Sequence, residues 1–373
     1  MKKFSKLVSC ALALTMVFSL AACSGNTDKA GTTAAPAETE APDGTTAAGG
    51  EESQAPEGTT AAAEGTKAAA DTNGKTFKIG IIQLTEHPAL DASYEGFVDG
   101  LKASGLEEGV NIEIDYQNAQ NEIANCDTIA EKLVNDGCDL ILAIATPAGQ
   151  AVAGKTTEIP ILVTAVTDPA DAGLVDSNEV PGGNVSGTSD LTPVKEQFQL
   201  LQQILPDAKK VAILYCSSED NSIFQANLAK AECEALKLEY EEVTVSESNQ
   251  IQQVAESLIG KYDVVYIPTD NLLAEGMATV TQVTNANDLP TIVGEKGMVE
   301  NGGLATYGID YYNLGVMTGE QAADILLNGA DISQMPIGYQ SAEDCELTVN
   351  TTAAKDLGIE IPEEILKDAA VIE

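Results

Sequence analysis

The side chains able to do chemistry in this sequence collect at one kind of place. Thr269, Asp270 and Asn271 follow the β-branched run 264–267 and Pro268, just before a helical pattern opens at Leu272. Such an apolar run suits a buried parallel strand. In an open α/β sheet, ligands sit in the crevice outside the carboxyl ends of the strands. A carboxylate and an amide there can meet a small polar ligand, or Asp270 can simply cap the helix behind it. The same punctuation recurs at six other strand ends: Glu86, His87 and Pro88; Thr146 and Pro147; Thr167 and Asp168; Ser217, Ser218, Asn221 and Ser222; Glu295; and Asp310.

These groups suit binding better than catalysis. Asn221 and Ser222 open a helix whose free N–H groups and dipole can hold a carboxylate; simple capping is a compatible role. Asp270 and Glu295 can meet an ammonium group, with Asp310 a third candidate, although Glu295 can also be a surface residue ahead of Lys296. Thr146 and Thr167 offer hydroxyls. His87 is either a structural histidine or a ligand contact. Tyr215, Tyr307 and Tyr311 are core or cleft residues, and with 4% aromatics and no Trp a tyrosine at a strand end stands out.

Other chemistry finds little to draw on. One histidine cannot build a metal cluster or a Cys–His pair, so neither a metal nor a cofactor is expected. Residues 149–156 match the phosphate-loop pattern GxxxxGK[ST] by letter. They read instead as a short helix opened by Pro147 and ended by Gly154, with Pro160 and the next strand too close for the helix a phosphate loop requires. No dinucleotide fingerprint, nucleophile elbow or EF-hand loop occurs.

The elements that must position these groups alternate regularly. Strands are expected at 78–83, 111–116, 139–145, 161–166, 210–215, 241–245, 263–267, 291–294, 304–307 and 346–350. Helices are expected at 90–103, 126–134 and 192–205, in a long run opened by Asn221 and Ser222 and reaching about 236, and at 251–259, 272–286 and 314–327. The run that opens at Lys78 restarts at Lys210, which predicts two similar α/β, Rossmann-like lobes. Right-handed crossovers put the strand ends of each lobe along one edge, and two facing edges would share a cleft.

Ahead of the lobes, basic Lys2, Lys3 and Lys6 precede the apolar run 7–20, which ends in Leu20-Ala21-Ala22-Cys23. This is a secretion signal, 1–22, with a lipobox that predicts lipidation of Cys23 and a lipid anchor as the only membrane attachment. Residues 23–75 are Ala, Thr, Gly, Glu and Pro with almost no large apolar side chain, and read as a solvated tether. A net charge of −39 with 19 basic residues argues against nucleic acid and anionic lipid as partners. Five cysteines beyond the lipobox, with no CxxC, specify no disulfide.

Six segments resemble a known family: 86–91 (EHPALD), 145–148 (ATPA), 167–169 (TDP), 181–187 (PGGNVSG), 268–271 (PTDN) and 307–312 (YGIDYY). Together, and in this order, they are similar to the tryptophan/tyrosine-type substrate-binding lipoproteins of ABC transporters. The likeness runs from Lys78 to the C-terminus. It implies a two-lobed, hinge-linked fold of the type I periplasmic-binding-protein class, with lobe 1 at 76–190 plus about 311–335 and lobe 2 at 191–310 plus about 336–373. It also implies an aromatic amino acid as ligand, an ABC permease and its ATPase as partners, a monomer, and a place on the outer face of the cytoplasmic membrane. An enzyme using Asp270 and Glu295 as an acid–base pair, an adhesin or sensor on the same scaffold, and a receptor for another small molecule are the competing readings.

Overall fold

The structure, a computed structural model, describes residues 69–70, 72, 74–341 and 344–373. The leader, Cys23 and nearly all of the tether lie outside the described residues. The chain joins the fold by residue 70: the Ala70 amide donates to Gly105 O at 2.8 Å, and Lys75 pairs with Asp139 at 2.7 Å.

The first lobe is built on β1 (Phe77–Gln83), β2 (Ile112–Asn118), β3 (Leu140–Ile144), β4 (Ile161–Val166) and β5 (Val185–Ser189). They form one parallel sheet in the order β2-β1-β3-β4-β5. β3 and β4 (LILAI and ILVTAV) are buried along their whole length. Continuous apolar runs of this kind belong to strands covered on both faces. Helices α1 (Pro88–Ala103), α2 (Ile123–Asn135) and α3 (Thr146–Ala153) supply crossovers.

The second lobe holds α4 (Val194–Ile204), β6 (Lys210–Cys216), α5 (Asp220–Leu236), β7 (Glu239–Val245), α6 (Ile251–Leu258) and β8 (Val264–Ile267). It continues through α7 (Asn271–Glu275), α8 (Met277–Asn285), β9 (Thr291–Val293), α9 (Lys296–Glu300) and β10 (Ala305–Gly308). The chain then enters α10 (Tyr311–Asn328) and returns for β11 (Glu346–Asn350), α11 (Thr351–Asp356), α12 (Glu363–Asp368) and β12 (Ala370–Ile372). The sheet order is β12-β11-β10-β9-β8-β6-β7, parallel except where β10 meets β11. The fold is thus α/β with two mostly parallel, Rossmann-like sheets, as expected.

α10 leaves the second sheet and packs in the first lobe, where Leu314, Ala322 and Ala323 join the core of β1, β3 and β4. Glycines set this contact. A Cβ at Gly96 or Gly100 of α1 would overlap the backbone of Tyr312 or Val316, and one at Gly315 or Gly319 would overlap that of Ser93 or Phe97. Only bare backbones allow so close an approach. The contact holds the start of α1, with His87, beside the start of α10, with Tyr311.

Two local readings change. The helix expected over 272–286 is two helices, because Gly276 sits against Ile251, where a Cβ would collide with the isoleucine side chain. The elements α9, α11, α12 and β12 are too short for their periodicity to show in sequence. Residues 149–153 lie within α3 and Gly154 caps it, so the letter match to a phosphate loop forms no cradle.

Candidate functional site

Strand ends of both lobes meet around a tightly closed cavity lined by His87, Leu90, Ala165, Asp190, Asn221 and Thr269, with Asp270, Asn271, Ala274, Glu295 and Tyr311 completing the wall. The lobes touch across it. Gln225 Nε2 donates to Thr167 Oγ1 at 3.1 Å, His87 Nε2 meets Asn271 Oδ1 at 3.4 Å, and Gln150 Nε2 donates to Asp220 Oδ2 at 2.8 Å. At the rim, Glu275 accepts from Thr85 at 3.1 Å and from Asn121 at 3.0 Å.

The carboxylates of the second lobe are already engaged. Asp270 accepts from the Leu273 amide through Oδ1 at 2.8 Å and from the Cys216 amide through Oδ2 at 2.5 Å. It therefore caps α7 and ties β8 to the end of β6. Glu295 accepts from the Gly297 and Met298 amides at 2.5 and 2.8 Å, capping α9. Glu219 takes the Asn271 and Leu272 amides and the side chains of Asn271 and Asn221. Burial, then the charge of Glu219, pushes the Asp270 carboxyl well above the usual range, and burial pushes Glu295 up to about 7.

Asp190, at the exit of β5, is different. Its Oδ2 accepts from the Tyr311 hydroxyl at 2.9 Å, while Oδ1 is buried with no partner within bonding distance. Burial pushes its carboxyl up to about 6, opposed by the neighbouring Thr167 and Tyr311 hydroxyls. Three more buried atoms on the cavity wall lack partners: His87 Nδ1, Asn221 Oδ1 and Thr269 Oγ1. Each of the four side chains is more than nine-tenths buried. Unpaired buried polar groups are costly, and native proteins rarely keep several in one place without a use.

A smaller crevice adjoins through Asn221 and is lined by Thr146, Asp168 and Phe224 among others. Thr146 Oγ1 is buried and unpartnered at the start of α3, and the preceding Ala145 holds φ at +84°. Ala165, on the wall of the larger cavity, sits at φ +54° in the irregular pairing of β4 with β5. Non-glycine residues at positive φ are strained, and such strain gathers at ligand clamps.

The structure thus gathers His87, Asn221, Thr269, Asp270, Asn271 and Glu295 on one cavity and Thr146 and Asp168 on the next. Thr167 stands behind Asp190, and Ser222 is buried beside Asp270. Pro147 and Ser218 line the outer cleft between the lobes, and Ser217 bonds back to Val245 O. Tyr215 belongs to the second lobe's core, its hydroxyl on Glu242, and Asp310 is exposed and caps α10. Asp190 and Glu219 are the residues that strand-end reasoning passed over. The signal for Asp190 is a carboxylate at a strand end with no helix behind it: Thr192-Pro193 keeps the chain extended until α4 opens at Val194. Among the described residues there is no cluster of three or more metal-ligating side chains.

Two lobes, facing strand ends and a closed polar cavity define a two-lobed solute-binding protein. The chain belongs to the ABC transporter substrate binding protein family, whose model matches residues 78–372. It is 43% identical over 286 residues to a protein of Clostridioides difficile (strain R20291) named tyrosine-binding protein, covering 77% of this chain and 82% of that one. A domain from Streptococcus pneumonia solved in complex with L-Trp is 37% identical, with a TM-score of 0.77 over 80% of this chain and all of that one. The ligand-free, open structure of a Clostridium difficile substrate binding protein with adhesive properties is 44% identical. Its TM-score is 0.62 over 80% of this chain and 99% of the other.

Proposed function

We propose that the cavity binds an aromatic amino acid and that the chain delivers it to an ABC permease from the outer face of the membrane, held there by a lipid on Cys23. One observation carries this reading: a tight cavity closed by contacts from both lobes, with four buried polar atoms unpaired on its wall. Asp190 Oδ1 is the partner for the ligand's ammonium group, a role in which Asp270 and Glu295 are replaced because backbone amides already take both oxygens of each. The first turns of α3 and α5 offer N–H groups for the carboxylate. A ligand bridging the lobes exists only in the closed form, so its differential affinity drives closure. The more identical open relative is the less similar in shape, and the L-Trp complex the more similar, which supports a closed arrangement here. The relative's adhesive properties favour adhesion as a second role for the same scaffold.

The test is thermal unfolding of ligand-free protein lacking the tether, with L-tyrosine, L-phenylalanine and L-tryptophan. At a hundred times its Kd, a ligand adds about 2.7 kcal/mol to the folded state, a shift of several degrees. No shift with any of the three, at millimolar concentration, contradicts the proposal.

A further inference from the structure

A short chain of hydrogen bonds decides what the histidine on the cavity wall can do. Glu219 is buried, and its Oε2 lies 2.5 Å from the side-chain nitrogen of Asn271. Both Glu219 oxygens already accept backbone amides, Oε2 from Asn271 and Oε1 from Leu272, so the carboxyl acts as an acceptor here and the amide nitrogen of Asn271 faces it. That turns Asn271 Oδ1 toward His87 Nε2, 3.4 Å away. A carbonyl oxygen also only accepts, so Nε2 carries the proton. Burial drives His87 down to about 4, with the Asn271 bond a smaller opposing effect, so the ring is neutral at pH 7. A neutral imidazole protonated at Nε2 has a bare lone pair at Nδ1. That atom is buried and has no partner.

His87 shares its cavity with apolar side chains. Leu90 lies one turn further along α1, Ala274 one turn beyond Asn271 on α7, and both line the wall. Asp190, which leaves β5, and its partner Tyr311, which opens α10, line the same cavity. An amino acid whose ammonium meets Asp190 therefore shares this cavity with the lone acceptor of His87.

We infer that His87 is a specificity-determining residue, whose Nδ1 accepts a hydrogen bond from a donor on the ligand's ring, a phenol O–H or an indole N–H. The inference rests on the aromatic amino acid reading of this cavity and deepens it: the site selects aromatic amino acids that carry a ring donor and discriminates against phenylalanine. A ring without a donor fills the same space but leaves the buried lone pair unpaired, and sites built to bond a ligand hydroxyl reject analogues that lack it.

The experiment is calorimetric titration at pH 7.5 with L-tyrosine, L-phenylalanine and p-fluoro-L-phenylalanine, which approaches the length of tyrosine but has no ring donor. Wild type should bind tyrosine roughly tenfold to a hundredfold tighter than either donor-free analogue. In His87→Leu the ratio should collapse toward unity. In His87→Asn, whose amide oxygen can occupy the Nδ1 position, part of the preference should return. Equal affinities in the wild type, or a tyrosine preference that survives in His87→Leu, overturns the inference while leaving the aromatic site standing. Should His87→Leu fail to fold, the wild-type ratio and His87→Asn decide: no preference in the first, or undiminished loss of it in the second, overturns the assignment. Absence of binding by all three compounds overturns both readings together.

Discussion

The two walls of the cavity use their carboxylates in opposite ways. In the second lobe, Asp270 and Glu295 stand at strand ends with a helix directly behind them; first-turn amides take one oxygen of Asp270 and both of Glu295, and the Cys216 amide of β6 takes the other Asp270 oxygen. In the first lobe, Asp190 stands at the end of β5 with three residues, one of them Pro193, before the next helix. Its Oδ1 is left to the cavity. A strand-end carboxylate is thus not by itself a ligand group. Whether it faces inward depends on whether the helix behind it claims it first, because free N–H groups at a helix start are strong and obligatory donors. One wall builds the frame, and the other keeps a carboxylate oxygen open to the cavity.

Substitutions that remove charge and keep shape sharpen this contrast. Asp190→Asn should cost the largest factor in tyrosine affinity, about 1.5–3 kcal/mol for one charge-assisted bond, or roughly tenfold to a hundredfold. Melting of the empty protein should change little, because Tyr311 keeps an acceptor. Asp270→Asn should do the reverse. Its new amide nitrogen must face the N–H of Cys216 or of Leu273, and two donors meeting in a buried site cost about 1–3 kcal/mol of stability. Calorimetric titration and thermal melts on the two variants check the pair; a larger affinity loss in Asp270→Asn than in Asp190→Asn breaks the comparison.

The smallest effect is in the pH dependence of stability. Burial raises the folded pKa of Glu295 to about 7, above its ordinary carboxyl value, so the folded state holds a proton that the unfolded state has released. The stability this contributes is fully present below the unfolded value and is lost as pH rises through about 7. His87 acts oppositely, since its folded value of about 4 lies below the ordinary 6.5, and its contribution is lost as pH falls through that window. Melting temperature should therefore rise on going from pH 8 to pH 6, and the rise should be smaller in Glu295→Gln. An equal slope in that variant removes Glu295 from the account.

Much of this was legible in the sequence because parallel strands buried on both faces announce themselves as unbroken apolar runs, as in 140–144 and 161–166. The strand ends that follow are then forced onto one edge, which is why His87, Asn221 and Thr269 converge. What stayed hidden depends on three-dimensional accounting. Nothing in the letters around Asp270 says that the Cys216 amide, 54 positions earlier in the chain, takes its second oxygen. Asp190 drew no attention because its partner Tyr311 is 121 positions away, brought there by the glycine contact between α1 and α10.

The most direct measurement of the central claim is a double cycle between protein and ligand. L-tyrosine and 3-(4-hydroxyphenyl)propionate, which lacks the amino group, are titrated into wild type and Asp190→Asn. If Asp190 Oδ1 holds the ammonium group, deleting the amine should cost wild type roughly tenfold to a hundredfold and cost the variant far less, because the two changes remove the same interaction. If the losses simply add, with Asp190→Asn weakening both ligands by the same factor, Asp190 does not contact the amine and the assignment of the cavity's two walls is wrong.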